Sequence, residues 1–209
     1  MKKRLIDAYK AGLLDDIVVF DLETTGLSPG SDDIIQVAAV RVQNGRIRRR
    51  DSFFSYVKVR RPLDPFIVAL TGITERHLSN APAAPAVLRD FSRYCGDSVL
   101  VAHNGHRFDI PFLERACARF RLLTRQTTYF DSIALSRAVW RGSGRLSHGL
   151  DSVLSRLRVS RGARRRHDAR GDVSILAECV LKMWARLKTA EELLSVPLHE
   201  CRLPRVVHE

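Results

Sequence analysis

Apolar residues are distributed differently in the two parts of the chain, and this difference predicts the fold class. In the first part, apolar and β-branched runs separated by turn residues predict strands at residues 17–20, 34–42 and 48–59. Asn44 and Gly45 form a dipeptide typical of a hairpin turn, so the second and third strands should pair antiparallel. The first run is wholly apolar, which is typical of a strand that is buried on both faces.

Farther along the chain, short apolar strands alternate with segments in which apolar residues recur at helical spacing. Strands are predicted at residues 99–102 and 128–130. Helices are predicted at residues 65–70, 74–78, 111–120, 132–140, 150–157 and 172–188, and one more ends near Cys95. This order indicates an α/β domain, in which helices flank a mixed sheet made of an antiparallel meander and parallel strands.

The two ends of the chain differ from this central region. Apolar residues near helical spacing in residues 1–15 predict a short N-terminal leader helix. Residues 16–190 form the one predicted domain, without an internal repeat. Residues 191–209 form a C-terminal tail, which we expect to be loose from residue 196 onward because it contains Pro197 and Pro204.

The net charge of the chain gives a first indication of what the protein binds. The chain has 209 residues and a formal net charge of +12, which indicates a polyanionic partner such as nucleic acid, or else an acidic membrane face. Between Arg119 and Arg170 there are 13 arginines, no lysine and three acids. The alternative reading of this stretch is a solvated basic face.

The spacing of the cysteines and the hydropathy of the chain indicate the cellular compartment in which the protein is expected. The four cysteines are scattered without a CxxC pair, so neither a zinc site nor a disulfide framework is predicted, and a reducing compartment fits best. Charged residues from Asp7 onward interrupt the basic N-terminal opening, which excludes a signal peptide. Since the sequence also lacks a run of about 20 apolar residues, we expect a soluble, cytoplasmic protein without a membrane partner.

Two acids, Asp21 and Glu23, follow directly after the first apolar strand. Residues i and i+2 of a strand point to the same face, so both carboxylates project toward one spot. Like charges at close range repel each other, more strongly when buried, unless a cation lies between them. Carboxylate oxygens are preferred ligands of Mg²⁺ and Mn²⁺. The pair therefore indicates a metal site, and the alternative is two surface charges at a strand end.

Three further aspartates lie where helices are predicted to begin. Asp109 and Asp131 each follow a predicted short strand, and Asp172 opens the last long helix. An aspartate in such a position can cap the helix by accepting amide hydrogen bonds. Each of the three, taken alone, is explained by capping, and we favour that structural role for Asp131.

His167 lies five residues before Asp172. Histidine has an unperturbed pKa of about 6.5, which suits a general base near neutral pH. Arg164, Arg165 and Arg166 precede it directly, and nearby cations disfavour the imidazolium form, so the ring stays able to accept a proton. The alternative is a surface histidine in a basic loop that contacts phosphate.

Taken together, three segments resemble the exonuclease motifs of the DEDDh family. They are residues 20–27 (FDLETTGL), 103–109 (HNGHRFD) and 167–172 (HDARGD). The likeness is to the DnaQ type, which includes the epsilon proofreading subunit of bacterial replicases, and it extends from about residue 17 to residue 188. Residues 70–74 (LTGIT) are also similar to the family's segment between the first two motifs.

The resemblance implies a ribonuclease H-like fold and a 3′–5′ exonuclease that uses two divalent metal ions, Mg²⁺ or Mn²⁺. It implies that Asp21 bridges both ions, that Glu23 and Asp172 complete the shell of one, and that Asp109 acts directly or through water. It makes His167 the general base. The positions that match the segment meeting the 3′-terminal nucleotide, or that lie beside that pocket, are Leu22, Thr24, Thr25, Gly26, Leu27, Asn104 and Phe108.

We therefore expect residues 16–190 to hydrolyse terminal phosphodiesters of nucleic acid, with single-stranded DNA as the leading substrate, and to release nucleoside 5′-monophosphates. The arginine-rich stretch would contact backbone phosphates. The alternatives are an RNA or short-oligonucleotide exonuclease of the same fold, and a catalytically silent subunit that binds nucleic acid or a partner. Residues 196–209 show no clamp-binding segment, which favours a free-standing enzyme over a DNA polymerase subunit.

Overall fold

The computed structural model describes residues 4–10, 12–160, 169–187 and 190–206. Within these residues, six strands form one sheet. Their bounds are Asp16–Thr24 (β1), Ile34–Gln43 (β2), Arg46–Tyr56 (β3), Val99–Ala102 (β4), Thr124–Asp131 (β5) and His199–Pro204 (β6). Across the sheet the strands lie in the order β3-β2-β1-β4-β5-β6.

The sheet is mixed, as the sequence predicted. β1, β2 and β3 form an antiparallel meander on one side. On the other side β4 lies parallel to β1 and β5 parallel to β4, while β6 runs antiparallel at the edge. Because β1 and β4 run in the same direction, with Val19 opposite Val101, their carboxyl ends meet at one edge of the sheet.

Helices cover both faces of this sheet. Their bounds are Leu5–Lys10 (α1), Pro65–Thr71 (α2), Glu75–Leu78 (α3), Ala84–Cys95 (α4), Asp109–Arg119 (α5), Ser132–Val139 (α6), Leu150–Leu157 (α7), Ala169–Trp184 (α8) and Ala190–Leu194 (α9). A single 3₁₀ turn, Leu13–Asp15, connects α1 to β1. Among the helices of the described residues, there is none with the length and apolar composition that a membrane span requires.

Two hydrophobic cores lie on opposite faces of the sheet. Val19 points into one core, together with apolar residues of α6, α7 and α8 such as Ile175. Its neighbour Phe20 points into the other core, where its ring centroid lies 5.5 Å from that of Phe91 in α4. Because successive residues of a strand face opposite sides, a central strand between two cores must be apolar at every position, as residues 17–20 are.

The expectation of a loose tail is wrong for residues 199–204, which form β6. Residues 199–204 pair with residues 124–129 of β5, and Cys201 and Leu203 are buried in the core beside α4 and α5. The Ser92 hydroxyl donates to the carbonyl of Pro204 at 2.6 Å. Proline is tolerated there because it occupies the last position of an edge strand, where an amide hydrogen is not needed for the ladder.

Several element boundaries also differ from the predicted ones. β5 begins at Thr124 rather than at residue 128, since its polar first half acquires a partner in β6. The long helix α8 begins at Ala169, so Asp172 lies in its first turn. The leader region contains a shorter helix than predicted, in which Leu5 is fully buried and its amide donates to the carbonyl of Val196.

Candidate active site

Three carboxylates converge where β1 ends. Asp21 and Glu23 come from β1, and Asp172 comes from the first turn of α8, which packs across β1 and β2. Each of the three contributes an oxygen that lies within 4.8 Å of an oxygen of the other two. Glu23 and Asp172 are buried, while Asp21 is partly exposed. The i, i+2 spacing in β1 therefore places both carboxylates on one face, and α8 adds the third.

Asp109 lies directly behind this cluster. Its side chain is 2% exposed, and its carboxylate accepts a hydrogen bond of 3.1 Å from the backbone amide of Leu22. The interpretation of Asp109 as a helix cap is wrong, because the N-cap residue of α5 is Phe108 and no side chain makes a capping hydrogen bond there. It is also wrong for Asp172, which lies inside α8. Asp172 lines the site, whereas Asp109 is buried behind it and is bonded to the backbone between Asp21 and Glu23.

The electrostatics of the cluster are unfavourable without a cation. Burial raises the pKa of Asp21 well above its ordinary value, and the carboxylates of Asp109, Glu23 and Asp172 raise it further. Burial also raises the pKa of Asp109, although the amide of Leu22 partly offsets this. A positive charge among these groups would remove the repulsion and favour their ionised forms.

Asp131 has the structural role that its position predicted. Its carboxylate caps α6 by accepting from the amide of Ile133 at 2.8 Å. The same carboxylate accepts from the amides of Asn104 and His106, both at 3.1 Å. Asp131 therefore fixes the loop between β4 and α5, which carries Asp109 at its end.

A cleft of about 790 Å³ opens above the acids. It is lined by most of the residues that the resemblance assigned to the 3′-terminal nucleotide: Leu22, Thr24, Thr25, Gly26, Leu27 and Phe108. Asn104 does not line it. Its side chain is exposed and its backbone adopts a left-handed conformation with φ of 62°. The structure thus groups six of the seven assigned residues around one cleft.

The loop that follows β1 has a fixed shape. The hydroxyl of Thr25 accepts from the amide of Asp33 at 2.9 Å, and the carboxylate of Asp32 accepts from the amide of Ser28 at 2.8 Å. A Cβ atom at Gly26 would lie 2.5 Å from an oxygen of Asp32. A side chain at residue 26 would therefore force the Asp32 carboxylate to move away from its bond to Ser28.

Two walls of the cleft were not found from the sequence. One is α2, where Phe66 and Leu70 line the cleft although they are 68% and 39% exposed. The other is the N-terminal part of α7, from Gly149 to Ser152. In the sequence, Phe66 and Leu70 are two large apolar residues on a predicted short helix. Such residues are most often buried in a core, so the sequence alone did not indicate that they line a cleft.

His103 is a further residue of the cleft. Its Nδ1 lies 2.8 Å from the hydroxyl of Ser132, and its Nε2 is buried without a hydrogen-bond partner among the described residues. Burial lowers the pKa of this imidazole, while Asp131 and Asp151 act in the opposite direction. A histidine with a lowered pKa and an unsatisfied nitrogen thus lines the cleft.

His167 lies outside the described residues, together with Arg164, Arg165 and Arg166. Its role as a general base stays a prediction. Elsewhere in the arginine-rich stretch, some side chains make internal contacts. Arg119 pairs with Asp33, and the guanidinium of Arg156 lies 4.4 Å from the ring centroid of Trp140. These arginines stabilise the fold.

Comparison with known proteins identifies the family. A family model described as an exonuclease (RNase_T) matches residues 18–180. The chain belongs to this exonuclease family. The resemblance to DEDDh exonucleases that the three motifs indicated is thereby confirmed.

One curated relative is the DNA polymerase III subunit epsilon-like protein of Rhodobacter capsulatus, which is 39% identical over 175 residues. The match covers 82% of this chain and 24% of the relative. The chain thus spans about a quarter of the length of that protein. Its family membership rests on the shared exonuclease region.

Solved structures show the same fold at lower identity. Exonuclease X, in complex with 5′ overhanging duplex DNA, superposes with a TM-score of 0.64 at 23% identity, covering 85% of this chain and 97% of that one. The nuclease domain of 3′hExo, a DEDDh family member bound to rAMP, gives a TM-score of 0.68 at 21% identity, covering 90% and 98%. The ribonuclease H-like fold predicted for this exonuclease is therefore confirmed.

Proposed function

We propose that this protein is a metal-dependent 3′–5′ exonuclease that releases nucleoside 5′-monophosphates from single-stranded nucleic acid, with DNA as its leading substrate. The observation that carries the proposal is that carboxylate oxygens of Asp21, Glu23 and Asp172 lie within 4.8 Å of one another at the floor of an open cleft. The buried carboxylate of Asp109 is bonded to the backbone amide of Leu22, between Asp21 and Glu23. An acidic floor of this kind repels a phosphodiester unless cations are bound there.

The donor set fits two divalent ions of the Mg²⁺ or Mn²⁺ kind. The four acids offer hard carboxylate oxygens, which these ions prefer. Burial and the neighbouring carboxylates raise the pKa of Asp21, and a cation bound among these groups would favour their ionised forms. Asp21, Glu23, Asp109 and Asp172 would hold the ions, which when bound would activate water for attack and stabilise the leaving 3′ oxygen.

The remaining residues of the cleft would position the substrate. Thr25, Gly26 and Leu27 form a rigid edge on which the terminal nucleotide can rest, and Phe108 lies beside them. Leu27 is 84% exposed and faces the same cleft as Phe66, so both offer apolar surface to a base. Stacking on such side chains tolerates any sequence, because every base has a flat apolar face.

His167 would accept the proton of the attacking water. Its place in the third motif, five residues before Asp172, supports this role. A general base of this kind contributes about 10²–10⁴-fold to the rate. Replacement by glutamine should lower the rate by that order and remove the corresponding limb of the pH–rate profile, whereas an unchanged profile would reject the role.

One experiment tests both whether the protein is a metal-dependent exonuclease and which class of nucleic acid it cleaves. A 5′-labelled single strand of DNA, the same strand in a duplex, an RNA of the same sequence and a labelled dinucleotide are each incubated with Mg²⁺, Mn²⁺ or EDTA. We expect a ladder of products shortened from the 3′ end, with single-stranded DNA and a metal ion, and none with EDTA. Cleavage of RNA but not of DNA would identify RNA as the substrate. Faster cleavage of dinucleotides than of longer strands would identify short oligonucleotides as the substrate.

The Asp21→Asn variant tests the site itself. Asparagine keeps the size of the side chain but loses the charge, so cleavage should fall at least about a hundredfold while the protein still binds a labelled strand. Asp90→Asn on the surface of α4 is the matched control and should leave the rate unchanged. Undiminished cleavage by Asp21→Asn would show that the chemistry occurs elsewhere.

A further inference from the structure

A second cleft, of about 730 Å³, lies beside the catalytic one. One of its walls is the loop of residues 29–34, and another is α5, with Phe112 and Arg119. The third wall follows β3 and carries Lys58, Arg60 and Arg61. The resemblance to known exonuclease motifs assigns none of these three cations.

The two clefts are neighbours that share their dividing wall. The loop after β1 presents Thr25, Gly26 and Leu27 to the catalytic cleft and residues 29–34 to the second cleft. In the segment that leads into and forms α5, Phe108 lines the first cleft and Phe112 lines the second, and their ring centroids are 4.9 Å apart. One loop and one pair of rings therefore separate the two.

The second cleft has an excess of uncompensated positive charge. Within the described residues, Lys58, Arg60 and Arg61 are at the surface and have no carboxylate partner. The acids of the cleft are already engaged. Asp33 pairs with Arg119, and Asp32 accepts from the amide of Ser28. The three cations can therefore bind an anion that enters from solvent.

The backbone that carries these cations is anchored. The amide of Lys58 donates to the carbonyl of Pro82 at 2.9 Å, and the amide of Val57 donates to that of Ile35 at 2.9 Å. Lys58 and Ala83 also form an isolated parallel bridge, which joins this segment to the start of α4. An anchored backbone reduces the entropy that is lost when the side chains bind.

A duplex end fits this arrangement. Its two backbones are separated by grooves about 6 Å and 12 Å wide, so a surface that holds the 3′ end of one strand meets phosphates of the other strand close by. We propose that Lys58, Arg60 and Arg61 bind phosphates of the complementary strand when the 3′ end of the substrate lies in a duplex. This inference rests on the proposed function, since it takes the first cleft as the place of the 3′ end.

The test compares two substrates with two variants. In Lys58→Gln/Arg60→Gln/Arg61→Gln, kcat/KM for a blunt duplex should fall about tenfold or more, while kcat/KM for the same strand alone should stay within about twofold. The control Arg46→Gln/Arg48→Gln/Arg50→Gln removes equal charge from β3, outside both clefts, and should preserve the ratio of the two substrates. An equal loss on both substrates, or no loss on the duplex, would overturn the proposal.

Binding measured by fluorescence anisotropy with Mg²⁺, in proteins that also carry Asp21→Asn, keeps the inference separate from catalysis. Each phosphate that a cation neutralises contributes about 0.9 to the slope of log K against log salt, so removing three cations should make the slope for the duplex shallower by up to about 3. If the wild-type protein cleaves neither substrate, the proposed function fails, yet a duplex-specific loss of affinity would still support the second cleft. An unchanged slope and affinity would reject it.

Discussion

The carboxylate of Asp109 accepts a hydrogen bond from the backbone amide of Leu22 at 3.1 Å, although 87 residues separate them in the sequence. This bond joins the start of α5 to the end of β1, between Asp21 and Glu23. It holds a buried fourth carboxylate close enough to raise the pKa of Asp21. Without a metal ion, repulsion between these buried carboxylates therefore lowers the free energy of unfolding. The same four acids are the proposed metal ligands, so substitutions among them should change both stability and activity.

Asp109→Asn should stabilise the metal-free protein and inactivate it. The amide oxygen can still accept from Leu22, while a buried negative charge is removed. We expect a gain on the order of 1–3 kcal/mol in EDTA, or about 2–4 °C in Tm for each kcal/mol. Calorimetry with and without Mg²⁺ measures this.

Asp90→Asn provides the control for that measurement, because Asp90 is exposed and pairs with Arg93 on the surface of α4. Its Tm should change by less than about 2 °C. A lower Tm for Asp109→Asn in EDTA would mean that the carboxylate contributes more through its hydrogen bond than it costs through its charge.

The stability of the metal-free protein should depend on pH in a particular direction. The pKa of Asp109 is raised to about 7 and that of Asp21 is also raised, mainly by burial. Between an unfolded pKa near 3.9 and these folded values, the folded state binds more protons than the unfolded state. The free energy of unfolding contributed by Asp109 therefore rises as the pH falls from about 7 toward 4 and is lowest above about pH 7, and the raised pKa of Asp21 acts in the same direction.

Urea unfolding in EDTA at several pH values, for the wild type and Asp109→Asn, isolates this contribution as a difference. The advantage of the variant should be largest near pH 8 and should shrink toward pH 5. Saturating Mg²⁺ should reverse the order near pH 8, because a bound cation favours the ionised acids. An advantage of the variant that grows as the pH falls would contradict the expected direction.

Gly26→Ala should weaken binding of the 3′-terminal nucleotide. The added Cβ would lie 2.5 Å from the Asp32 carboxylate, so the loop that edges the cleft has to move. We expect KM to rise about tenfold, which corresponds to about 1.4 kcal/mol. Gly30→Ala in the same loop is the control, since a Cβ there meets no described atom within 4 Å. Equal kinetics for the two variants would show that the shape of the loop at Gly26 does not matter for binding.

His103→Phe should raise KM for a single strand if the substrate supplies the missing partner of Nε2, because His103 lines the cleft and this buried atom has no hydrogen-bond partner among the described residues. An unmade hydrogen bond of this kind costs about 1–3 kcal/mol, so the rise should be at least about fivefold. His148→Phe is the matched control. Its Nδ1 also lies 2.8 Å from a serine hydroxyl, that of Ser136, but His148 does not line the cleft. A similar KM in both variants would assign His103 a purely structural role.

Much of the fold follows from local patterns. The wholly apolar run at 17–20 predicted a strand between two cores, and the Asn44-Gly45 dipeptide predicted the hairpin of β2 and β3. The tail was predicted incorrectly, because residues 199–204 acquire their strand conformation from pairing with β5. Nothing in this short segment, which ends in a proline and has another two residues before it, indicates a partner some 75 residues earlier in the chain.

Local sequence is enough to show which acids are available and that Asp21 and Glu23 share one face, since the two-residue period of a strand is a local property. Tertiary structure decided what Asp109 and Asp172 do. Each begins or nearly begins a helix, so capping explained both equally well until Asp109 accepted a hydrogen bond from Leu22 of β1 and α8 packed against β1. Tertiary structure also built the cleft walls from α2 and α7. The physical reason is that side-chain direction is fixed within an element, whereas the group a side chain meets depends on contacts between distant parts of the chain.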